Sequence, residues 1–116
     1  MPRDSRVYLD DILGAIGKIK RSTEGLSKQA FAGDEKTLDA VVRNLEVIGE
    51  AVKRLPAELR AREPGIDWPT IGGLRDVLIH QYFGIDVDIL WDIIENKLPA
   101  LEVSVRTLLR EPDRPP

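Results

Sequence analysis

The chain of 116 residues has no cysteine, one histidine, one methionine and only 5% aromatic residues. Without a thiol, disulfide scaffolds, thiolate zinc sites and cysteine nucleophiles are excluded. A single imidazole rules out a paired-histidine metal box, and no phosphate-binding glycine loop or serine nucleophile motif is present. Neither a metal nor a cofactor is therefore expected. No apolar run approaches 18 residues, and Met1-Pro2-Arg3-Asp4 leads into a polar, amphipathic segment. A membrane span and a secretory leader are not expected, and the reading is a soluble, cytoplasmic domain. There is no excess of basic charge either. Seventeen Lys and Arg against twenty Asp and Glu leave a net charge of -3, which argues against a surface that coats nucleic acid broadly. A local basic groove stays open.

What is present is helical periodicity. The length suits one domain able to bury roughly 65% of its unfolded surface, and the pattern predicts an all-α helical bundle of four main helices. Leu9, Ile12, Leu13, Ile16 and Ile19 follow helical spacing, with Asp4 or Ser5 placed as a cap. Gly14 and Gly17 inside that helix suggest close approach of a neighbour, and Gly25 ends it. Leu26 to Ala32 reads as a short helical turn. Asp34 is placed to cap a stripe of Leu38, Val41, Val42, Leu45, Ile48, Val52 and Leu55, which Pro56 stops. Ala57 to Arg62 reads as one or two turns before Pro64-Gly65. Trp68-Pro69 opens a helix expected to run to about Tyr82 or Phe83, with Gly84 as its stop. Asp86 caps the last long helix. There Val87, Ile94, Leu101 and Leu108 recur every seven residues, interleaved with Trp91, Leu98 and Val105, and Pro99 is expected to kink or divide it. One domain spans 1–110, and a proline-rich, disordered tail spans 111–116.

The candidate chemistry lies in Leu74-Arg75-Asp76-Val77-Leu78-Ile79-His80-Gln81-Tyr82. On a helix Asp76 and His80 share a face, four residues apart, while Arg75 and His80 differ by about 140°. Cooperation between the latter two needs the arginine's reach, a distorted helix end, or a second copy of the helix. The last favours a dimer with its twofold axis close by. Histidine can accept and donate protons near neutral pH. Asp76 could set its tautomer, and an arginine fork fits phosphate oxygens. Such a group would support metal-free RNA cleavage. The competing reading is a solvated helix face with an i, i+4 ion pair.

Two segments, Asp39-Ala40-Val41-Val42-Arg43-Asn44-Leu45-Glu46-Val47-Ile48-Gly49-Glu50-Ala51 and Leu74 to Asp86, closely resemble the HepT-like family of HEPN-domain ribonucleases. The second carries that family's Arg-x-x-x-x-His-x-Tyr pattern. Trp68 and the run from Asp88 to Ile94 match as well. The resemblance covers roughly Ser5 to Leu109. It implies a four-to-five-helix HEPN-type bundle that forms a homodimer, with the active cleft at the interface. It further implies the toxin of a type VII toxin–antitoxin system acting as a metal-independent endoribonuclease on RNA. Arg75 and His80 would be the catalytic pair and Asp76 the polar residue after the arginine. Tyr82 would be the tyrosine to which an MntA-like minimal nucleotidyltransferase antitoxin transfers AMP. The chain departs from the family's usual pattern at Asp76, where many members have Asn, and at Gln81, where many have Gly.

AMP on Tyr82 would put a bulky negative group within a turn of the histidine. That needs an exposed tyrosine, and a buried one bonded to the core is the alternative. Arg43, Asn44 and Glu50 are candidates to line the cleft, as is Gln81, or else to tie helices together. Gly72-Gly73 fits either approach to a phosphate or tight helix packing. Lys18, Lys20, Arg21, Lys53, Arg54, Arg60 and Arg62 could guide RNA or be ordinary solvated charges. The alternative to an RNase is a non-catalytic HEPN module that dimerises and binds a nucleotidyltransferase.

Overall fold

In the computed structural model, which describes residues 3–74, 76 and 86–111, these periodicities become helices, and no strand occurs among the described residues. The first stripe forms α1 (Arg3–Thr23) and the second forms α3 (Glu35–Arg54). At 1.5 Å per residue each is about 30 Å long. Leu9, Ile12, Ile16 and Ile19 of α1 meet Val41, Leu45, Ile48 and Val52 of α3 in one core, all essentially removed from solvent. This pair is the most extensive helix contact described.

The connection between them is built from local signals. Gly25 adopts φ 76°, the left-handed conformation that ends α1. Ser27 caps α2 (Lys28–Ala32) by accepting from the Ala30 N–H at 3.1 Å. Asp34 then caps α3 by accepting from the Thr37 N–H at 3.2 Å, as its position in the sequence suggests. Phe31 of α2, fully buried, was not singled out by periodicity; it packs on the Trp91 ring with centroids 5.3 Å apart.

Three expectations about α1 change. The helix already begins at Arg3, so Asp4 and Ser5 lie in its first turn instead of before it, and Ser5 is buried. At Gly14 no described residue comes within 4 Å of where a Cβ would sit. Gly17 meets only its own helix's Arg21 guanidinium, at 3.2 Å. Among the described residues, neither glycine meets a neighbouring helix.

Leu55 and Pro56 end α3, and α4 (Ala57–Ala61) follows. Trp68 starts α5 (Trp68–Gly72), capped by Asp67, and its indole N–H donates to the Arg60 and Glu63 carbonyls, both at 3.0 Å. The expected long helix from Trp68 is interrupted. Gly73 forms a turn, and Leu74 and Asp76 return to helical conformation. Two adjacent glycines, the poorest helix formers after proline, account for the break.

The last helix is divided just before Pro99, as expected. α6 (Val87–Asp92), capped by Asp86, passes through a π-helical turn (Ile93–Lys97) into α7 (Leu98–Arg110), with Pro99 in the first turn of α7. The seven-residue stripe holds after the break, where Leu98, Leu101, Val105 and Leu108 are buried. Before it the stripe slips. Leu90 and Ile93 occupy the core, while Val87, Trp91 and Ile94 are only half-buried. A π turn holds about one residue more than an α turn, so it rotates the preceding face by about 100°. Glu111, the first residue of the expected tail, accepts from the Arg62 guanidinium at 3.3 Å. Residues 112–116 lie outside the described residues, as does the expected stop at Gly84.

Candidate active site

The local frame of the motif is set by α5. Its N-terminus is fixed by Asp67, which accepts from the Thr70 N–H at 3.3 Å and from the Thr70 hydroxyl at 2.7 Å. The hydroxyl bond, and then the backbone bond, hold the Asp67 carboxyl below the usual aspartate range. Buried Trp68 and Ile71 tie the helix to the core. Gly72 is buried against the end of α3, where an added Cβ would meet Lys53 Cγ at 3.4 Å and Val52 Cγ1 at 3.7 Å. Both are ordinary van der Waals distances, so α5 packs on the end of α3 here with room for a single methyl group. Leu74 is buried, and Asp76 is exposed, its N–H donating to the Gly73 carbonyl at 3.1 Å. Arg75, His80, Gln81 and Tyr82 lie outside the described residues.

The three polar residues of α3 part company. Asn44 donates its amide to the Ala40 carbonyl at 2.8 Å, a bond within its own helix. Arg43 and Glu50 border a groove of about 590 Å³ between α1 and α3, together with Tyr8, Asp11, Glu46 and Arg54. Two arginines face three carboxylates there. The groove is therefore of mixed sign and offers no uniformly positive track for a polyanion.

The seven basic positions are also scattered in role. Lys20 pairs with Glu102 at 3.1 Å, and Arg62 bridges Glu58 and Glu111 at 2.9 and 3.3 Å. Bonds from Lys20 and, secondarily, Arg106 hold the Glu102 carboxyl below its ordinary value. Arg60 is half-buried, whereas Lys18, Arg21, Lys53 and Arg54 are exposed. Among the described residues no group of three or more His, Asp or Glu side chains could hold a metal ion, and no helix is long and apolar enough to cross a membrane.

Sequence reasoning did not find a second cavity, of about 400 Å³, between the α5 region and the π turn. Its walls come from segments some 25 residues apart in the chain, and Leu74 is one of them. Only the break expected before Pro99 marked its location, because proline predicts an interruption but not a π turn.

Residues 12–108 match the family described as "Ribonuclease HepT-like". A protein of Methanocaldococcus jannaschii named "Putative RNase MJ0127" is 47% identical over 112 residues, covering 96% of this chain and 93% of its own length. A "Probable ribonuclease HepT" of Thermococcus cleftensis is 41% identical over 102 residues, covering 88% and 93%. No solved structure matches the chain significantly.

Proposed function

The chain belongs to the HepT-like ribonuclease family, and from that premise we propose that it is an RNase toxin that cleaves RNA without a metal ion. The observation that carries this reading is the family match over residues 12–108, which includes the whole Arg75-to-Tyr82 motif. The frame described for α5 supports it, since Trp68, Ile71 and Gly72 anchor the chain to the core immediately before the motif.

In this reading Arg75 holds the scissile phosphate, and His80 works on the protons. An imidazole takes the proton of the ribose 2′-OH, whose oxygen attacks phosphorus while the bond to the 5′-oxygen breaks. An imidazolium returns a proton to that leaving oxygen. A homodimer supplies two copies of His80, so that base and acid need not be the same ring. Arg75 offsets the charge that builds on the phosphoryl oxygens in the transition state. Asp76, exposed at the start of the motif, orients a neighbouring cation. An MntA-like nucleotidyltransferase partner silences the enzyme by transferring AMP from ATP to the Tyr82 hydroxyl, releasing pyrophosphate. The added phosphodiester repels RNA at the cleft. The toxin–antitoxin pairing and a cytoplasmic site of action follow from the same reading.

The test is cleavage of RNA by purified protein in excess EDTA. His80→Ala and Arg75→Ala should each lower the rate at least about 100-fold with helicity retained. Wild-type protein that leaves RNA intact under these conditions would leave the non-catalytic module as the reading. Incubation with the partner and ATP should add AMP to a peptide containing Tyr82, and Tyr82→Phe should abolish the adduct.

A further inference from the structure

The cavity between the α5 region and the π turn combines an apolar interior with a polar mouth. Ile66, Ile71, Leu74, Ile93 and Leu98 form its walls. At about 400 Å³ it falls within the ~300–1,000 Å³ typical of small-ligand pockets. Leu74 precedes Arg75 in the chain, and consecutive Cα atoms are about 3.8 Å apart. The pocket wall therefore ends one peptide from the residue assigned to the phosphate.

The mouth is rich in acceptors. Asp67, Thr70, Asp92 and Asn96 stand there with one cation, Lys97. The Thr70 hydroxyl already donates to Asp67 at 2.7 Å, and the Asn96 amide donates to Asp92 at 2.7 Å. Those bonds use the rim's hydroxyl donor and one of its amide donors, leaving the carboxylates and the Asn96 carbonyl to accept. A nucleobase has two apolar faces and a polar edge, and unpaired bases are what proteins read in RNA. Adenine, cytosine and guanine each present an amino donor on that edge. Uracil presents two carbonyl acceptors and one N–H.

Building on the RNase reading, we propose that this cavity holds the base next to the scissile phosphate and that its acceptor-lined mouth selects amino-bearing bases over uracil. Lys97 at the rim attracts the adjoining phosphate. The apolar walls bury the base faces, and Asp92 with Asn96 reads the edge.

The experiment uses the full-length protein and four RNA oligonucleotides that differ only in the base beside a single cleavage position. Wild-type protein should cleave the adenine, cytosine or guanine substrate about tenfold or more faster than the uracil one. Ala100→Trp, from an exposed position lining the cavity, should fill it and collapse that spread. Asp92→Asn, which adds a donor at the mouth, should shift preference toward uracil. This milder variant decides the matter if the tryptophan variant fails to fold. Equal cleavage of all four substrates by wild type, or unchanged preference in both folded variants, overturns the pocket while the RNase reading stands. No cleavage of any substrate by wild type sinks both. Dissociation of an oligomer by Ala100→Trp, seen by sedimentation, would assign the surface to a second copy of the chain and also overturn the base pocket.

Discussion

The two halves of this bundle are made differently. The first is dominated by α1 and α3, of 21 and 20 residues, whose regular stripes face each other along their length. The second joins α7, of 13 residues, to short pieces, with α5 of five residues, α6 of six and a π turn between α6 and α7. Long helices obtain stability from continuous burial, whereas short ones lean on caps and on what they pack against. The motif assigned to catalysis emerges from the second half. A stable platform thus supports short elements, α5 and α6, whose geometry is set residue by residue.

That contrast can be broken at four points. Leu45→Ala opens a cavity where α1 meets α3 and should destabilise the protein by about 2–5 kcal/mol in urea unfolding. A much smaller loss would mean the platform is not the main source of stability. Gly72→Val overfills the joint between platform and motif and should cost about 1–3 kcal/mol. Its RNase rate should fall even at temperatures where it stays folded. Gly14→Ala works in the opposite direction. With no described residue within 4 Å of where a Cβ would sit, it should stabilise by about 0.4–1 kcal/mol in thermal melts. Loss of stability would show that Gly14 packs against a surface beyond the described residues, such as a second protomer.

The smallest expected effect concerns the caps. Asp34 bonds the Thr37 backbone and side chain, Asp67 bonds the Thr70 side chain and backbone, and both carboxyls are held below their ordinary value. Each contributes as an anion. Their stabilisation is complete above about pH 4, the unfolded aspartate value, and is lost as pH falls through the lower folded values. A Asp34→Asn and Asp67→Asn double variant keeps capping side chains but not the titration. Its melting temperature should drop less between pH 5 and pH 2 than that of wild type.

The same division governs what could be read from the sequence. The stripes of α1 and α3, the caps at Asp34 and Asp86 and the stop at Gly25 were legible, because each depends on nearest neighbours and helical period. The burial of Gly72 was not legible, since the atoms that cover it belong to Val52 and Lys53, twenty residues away. The Asn44 bond to its own helix was not legible, because no pattern in the sequence shows a side chain turning back on its own backbone. The second cavity was invisible, being a property of two distant segments and a π turn. Arg75, His80 and Tyr82 were read from a motif alone and lie outside the described residues.

The π turn before Pro99 has one further consequence. Residues 87–110 carry two overlapping apolar faces, one through Val87, Trp91 and Ile94 and one through Leu90 and Ile93, and both lead into the same face of α7. Proline at the start of α7 disfavours regular closure of the preceding turn, so the wider turn selects the second face and sends Trp91 onto Phe31. A single ring without an N–H thereby acts as a phase setter. It fixes the rotation of six upstream residues about their own axis, and with it which side chains line the cavity.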